Sequence, residues 1–171
     1  MRTFYIQQGQ GVMARGDVQI KTATLYSCSL VAGYNAGSGY CGGYHLSSNT
    51  IDRPAVQIEL QSWAAILRPT ALVFVHARSM GWPGDGSPQE DMDGLLHWAQ
   101  GQTLPAPTVQ DGVNVASQVL GGVFSVGAPA LMPAFDFGSP VLNLQHQLAG
   151  RYGWGDEQYT ILGFNREIDD D

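Results

Sequence analysis

Cys28-Ser-Leu-Val-Ala-Gly-Tyr-Asn-Ala-Gly-Ser-Gly-Tyr-Cys-Gly-Gly-Tyr-His45 carries two β-capable runs around Asn35-Ala36-Gly37-Ser38, residues that a tight hairpin turn prefers. A turn centred between Ala36 and Gly37 places Cys28 directly opposite His45, and Cys41 opposite Ala32. Directly opposed residues present their side chains on one face with Cβ atoms roughly 5 Å apart, within reach of a thiol–imidazole hydrogen bond.

Outward from this hairpin, Phe4–Gln7, Val18–Lys21, Thr24–Val31 and Tyr40–Leu46 read as short strands separated by Gly, Asp and Asn. Asp52 and Pro54 then open a helix whose Val56, Leu60, Trp63, Ala64 and Leu67 share one face, stopped by Pro69. Ala71–Val75 is short, apolar and partly β-branched, as a buried strand should be. Ser87-Pro88-Gln89-Glu90 predicts a second helix running to about Gln100, with Ser87 as cap and Glu90 closing a capping box.

Val113–Leu120 fits either helix or strand, whereas Gly122–Val126 and Tyr159–Phe164 read as strands and Pro140–Tyr152 as a helix. Strands followed by helices mixed with further strands predict an α+β domain, a mainly antiparallel sheet or sandwich core with flanking helices. The 171 residues, 44% of them hydrophobic, suit one domain spanning 1–171.

Fifteen acidic against eight basic residues give a formal charge of −7 with no basic cluster, so nucleic acid and anionic membranes are not expected partners. No apolar run is long enough for a membrane helix and the start turns polar too early for an export signal. The expected location is the cytoplasm, or another cell reached without a cleavable signal. His45, His76, His97 and His146 lack the short paired spacings of structural zinc sites, so neither metal nor other cofactor is expected. The acidic end Asp169-Asp170-Asp171 reads as a solvated tail, and nothing in the chain points to an oligomeric state.

Cys28 and Cys41 are expected as free thiols. A cysteine attacks as the thiolate, which a neighbouring imidazolium stabilises at neutral pH, and His45 would supply that charge to Cys28. The imidazole needs a third group to hold its tautomer and orientation; Thr22, six residues before Cys28, is the candidate. Packing is the expected role of Cys41, His76 fits a hydrogen-bonded strand-end histidine, and Trp63 and Trp98 fit core positions. Gly81-Trp82-Pro83-Gly84-Asp85-Gly86 fits a loop beside a site and a plain connection equally.

Thr22-Ala-Thr-Leu-Tyr-Ser-Cys28 followed by Gly42-Gly43-Tyr44-His45 resembles the chemoreceptor glutamine deamidases (CheD) and the catalytic domains of cytotoxic necrotizing factors. The resemblance spans residues 17 to 48. It implies a Cys28 nucleophile, a His45 base, Thr22 as the residue orienting His45, and conversion of Gln to Glu on a protein substrate with an exposed glutamine. Tyr26 and Tyr44 stand where the family has small residues, so they, with Ser27, are expected to line the substrate groove. Two other readings stand beside this one: a cysteine amidase acting on a small molecule, and a catalytically inactive interaction domain of the same fold.

Overall fold

In the computed structural model, residues 2–6, 9–22, 25, 28–48, 50–77, 88–128 and 159–162 are described. In chain order they form β1 (Arg2–Ile6), β2 (Gly11–Arg15), β3 (Val18–Thr22), β4 (Ser29–Tyr34), β5 (Tyr40–Leu46), α1 (Pro54–Leu67), β6 (Ala71–His76), α2 (Pro88–Gln100), β7 (Thr108–Asp111), β8 (Ala116–Leu120), β9 (Val123–Gly127) and β10 (Tyr159–Leu162). The expected helix at Pro140–Tyr152, its His146, the cap Ser87, the loop Gly81–Gly86 and the acidic tail lie outside the described residues.

One sheet has the order β1-β3-β8-β9, the second β2-β5-β4-β6-β7 with β10 added along β2. Pairing is antiparallel except for β1 with β3 and β6 with β7. The α+β expectation therefore holds as two mixed, mostly antiparallel sheets and two helices. No helix among the described residues is long and apolar enough to cross a membrane.

The period-2 alternation of β5 explains the layering, because successive side chains leave a strand on opposite faces. Cys41 belongs to an apolar cluster between the two sheets, with Phe4, Ile6, Val18, Ile20, Leu30, Ala32 and Val119. Tyr44 and Leu46 belong to a second cluster on the other face, with Val31, Leu60, Trp63, Leu67 and Phe74. His45, with the parity of Cys41, thus points between the sheets.

α1 forms where the sequence predicts it, with Pro54 in its first turn and Val56, Leu60, Trp63, Ala64 and Leu67 buried on one stripe. It seats in a groove floored by glycine: a Cβ at Gly42 would lie 2.8 Å from Leu67 and 2.9 Å from Trp63, and one at Gly33 2.8 Å from Leu67. The helix ends at Leu67 because Arg68 turns left-handed and its N–H donates to the Ala64 carbonyl.

Asn35 joins this helix end to the β4–β5 turn. Its Nδ2 donates to the carbonyls of Leu67 (3.0 Å) and Arg68 (2.8 Å), while its Oδ1 accepts from the N–H groups of Gly37 and Ser38. The backbone closes the same turn through Asn35 N–H to the Tyr40 carbonyl, with Gly39 at φ 78°.

Candidate active site

The β4–β5 register pairs Leu30 with His45, Ala32 with Gly43 and Tyr34 with Cys41. Cys28 therefore does not face His45 directly, and Cys41 does not face Ala32: the pairing is displaced by two residues from the one the turn composition suggests. The cause is Asn35, whose bonds close a four-residue loop over Ala36–Gly39 in place of a two-residue turn. A shift of two conserves side-chain parity. Cys28, the residue before β4, accordingly remains in the layer between the sheets, diagonal to His45, a position where ladder spacings are roughly 7 Å.

Thr22 ends β3, Ile6 ends β1, Cys28 precedes β4 and His45 lies near the end of β5, so the pairing brings all four to one end of the sandwich. His45 is anchored on both sides of its backbone: its N–H donates to the Gln10 carbonyl (2.9 Å) and its carbonyl accepts from Gly9 N–H (2.8 Å). Its ring Nδ1 lies 3.2 Å from the Ile6 carbonyl. A carbonyl only accepts, so Nδ1 carries the proton and Nε2 holds a lone pair. Nε2 is buried and has no hydrogen-bond partner among the described residues.

Burial pushes the His45 pKa down to about 4, an effect the Ile6 bond only partly offsets. The buried charged residues among those described, Lys21, Glu59 and Asp91, lie elsewhere, Lys21 on the opposite parity of β3 from Thr22, Glu59 on α1 and Asp91 on α2. At neutral pH the imidazole is neutral, and the standing imidazolium expected from the sequence is absent. What remains is a desolvated acceptor, a base that can take a proton from a thiol brought to it.

Thr22 is buried with its hydroxyl unpartnered among the described residues, and the bond that orients His45 there comes from Ile6, the residue registered beside Thr22 on β1. A backbone carbonyl far along the chain leaves no mark in residue identity; only the pairing of β1 with β3 reveals it. Tyr44 also departs from expectation. It is fully buried on the helix-facing side, its hydroxyl donating to Glu59 Oε2 at 2.6 Å, and does not share the face of His45. Tyr26 and Ser27 lie outside the described residues.

Both cysteines are free thiols. The Cys41 sulfur sits 3.0 Å from Ser117 Oγ, and burial pushes its thiol up to about 12, against a smaller opposing effect of that contact. Cys41 is therefore protonated and inert. Cys28 is 6% exposed. His76 is buried at the end of β6 opposite Ser29, on the helix-facing side, and His97 is exposed on α2.

The chain matches no protein-family model and no curated protein. The functional reading accordingly rests on the residues and their geometry. Among the described residues no group of three or more His, Cys, Asp or Glu side chains could hold a metal ion. Clefts of about 400 and 330 Å³ lie in the helix layer, lined by residues such as Arg68 with Leu104 and Asp52 with Trp98; neither reaches Cys28 or His45.

Proposed function

We propose that this protein is a cysteine-dependent amidohydrolase that converts glutamine side chains of a protein substrate to glutamate, with the α+β core serving as a deamidase scaffold of the CheD and cytotoxic-necrotizing-factor type. The observation that carries the reading is His45 Nε2: a bare, buried acceptor on a ring oriented by the Ile6 carbonyl, in the same sandwich end as Cys28. An unpaired buried acceptor costs roughly 1–3 kcal/mol, and catalysis is a reason to retain one.

In this mechanism His45 Nε2 takes the Cys28 proton as the sulfur attacks the carboxamide carbon. The tetrahedral intermediate collapses as the imidazolium returns that proton to the departing nitrogen, releasing ammonia and leaving a thioester. Water, deprotonated by the same Nε2, hydrolyses the thioester to the carboxylate and restores the thiol. Thr22 acts by packing beside Ile6 at the strand ends. Its proposed place of action is the cytoplasm, of its own cell or of one into which it is delivered as an effector.

The test is incubation with a library of glutamine-containing peptides and with cell lysate, scored by ammonia release and by Gln-to-Glu conversion in mass spectra. Conversion by the native protein and none by Cys28→Ser supports the reading; no conversion by either overturns it. A second reading, an inactive interaction domain, is favoured by the low exposure of Cys28. It expects Cys28 to stay unreactive until the fold is lost.

A further inference from the structure

Thr22, Cys28 and His45 are 0%, 6% and 2% exposed, so a substrate amide reaches them only after something moves. The four residues Gly112–Val115 join β7, at the edge of one sheet, to β8, inside the other, and so cross the end of the sandwich where these side chains lie. Three backbone bonds hold this crossing. Gly112 N–H donates to the His76 carbonyl at 3.0 Å, Leu25 N–H to the Val113 carbonyl at 2.8 Å, and Thr22 N–H to the Val115 carbonyl at a long 3.4 Å.

Its side chains close the layer from outside. Val115 is buried and Val113 half-buried, and both pack on the apolar cluster that contains Cys28. Gly112 has no room for a side chain, since a Cβ there would lie 2.7 Å from Val115 and 3.2 Å from Val75. Asn114 is exposed. The neighbouring strand residues at this end are fixed by ladders, whereas residues 112–115 belong to no strand and the three backbone bonds above link them to their surroundings.

We propose that Gly112–Val115 is a strap that closes the Cys28 site in the resting protein and lifts, with Val113 as its plug, to admit substrate. This rests on the reading of Cys28 and His45 as the site, but closure is measured independently of turnover. Lifting a four-residue connection outside the ladders and exposing one or two valines is a local opening, which needs less free energy than global unfolding.

The experiment is pulsed alkylation of Cys28 by iodoacetamide at fixed pH, with Cys41 as internal control, in the native protein and in Val113→Ala. Alongside it, hydrogen exchange of the Gly112 and Leu25 amides is followed in the native protein, which does not depend on the variant folding. The strap predicts about a tenfold faster Cys28 reaction in Val113→Ala with Cys41 still silent. It also predicts exchange at Gly112 and Leu25 well ahead of the β4 and β5 amides. Equal Cys28 rates in a folded Val113→Ala, or exchange at Gly112 and Leu25 only together with β4 and β5, would overturn it. Faster alkylation that is indifferent to His45→Ala keeps the strap and removes the deamidase reading.

Discussion

The two cysteines occupy one apolar layer and have opposite prospects. Cys41 lies within the ladder near the hairpin end of β5, paired with Ala14 on β2 and Tyr34 on β4, its sulfur against Ser117 and its thiol held protonated. Cys28 lies at the rim, outside the ladder, diagonal to an imidazole with a bare nitrogen. Both are buried, so burial does not separate them. The difference is that the Cys41 sulfur is held against Ser117, whereas at the end containing Cys28 the His45 Nε2 has no partner among the described residues.

The largest effect that can break this comparison is chemical. His45→Ala should lower glutamine deamidation by at least about 100-fold, the usual contribution of a positioned base, and leave Cys41 as silent as before. An equal rate in the variant would make the two cysteines equivalent in kind. Deamidation assays on the folded variant, checked by circular dichroism, decide it.

Next comes stability against pH. His45 has a folded pKa near 4, below its ordinary 6.5, so the unfolded chain binds the extra proton first. Its contribution is complete above pH 6.5 and is lost as pH falls toward 4, amounting to about 3 kcal/mol at most. Urea titrations between pH 7 and 4 should show this loss, and His45→Gln should remove most of it.

A smaller effect tests whether the helix-facing side is independent of the site. Gly42→Ala forces a Cβ against Leu67 and Trp63 and should cost roughly 1–3 kcal/mol of stability. Cys28 chemistry in the folded fraction should be unchanged, which alkylation under native conditions reads directly. Tyr44→Phe, which removes the donor to Glu59, should cost about 1 kcal/mol in denaturant midpoint and again leave Cys28 reactivity alone. A change in that reactivity would join the two faces of the central sheet and restore a substrate-side role for Tyr44.

Much of this was legible because parity survives errors of register. Placing Cys28 and His45 on one face needs only the alternation of β4 and β5, and that holds although the pairing is displaced by two. The displacement was hidden because Asn35 acts through its side chain, bonding both to its own turn and to the end of α1. β2 escaped notice because it begins with Gly11 and is buried for four residues without alternation, and β7 because Thr108–Asp111 is short, polar and largely exposed. The Ile6 carbonyl was out of reach for a further reason: it belongs to a backbone brought in by tertiary pairing.

The central claim is that His45, neutral at rest, is the base for Cys28. Iodoacetamide labelling of Cys28 across pH 5 to 8, in the native protein and in His45→Ala, tests it most directly. Between the two titrations of a coupled pair the proton count is constant, so the native rate should be nearly flat over this range, while the variant should gain about tenfold per pH unit as a free thiol does. A native rate that climbs in parallel with the variant would mean that His45 takes no part, and would contradict the account.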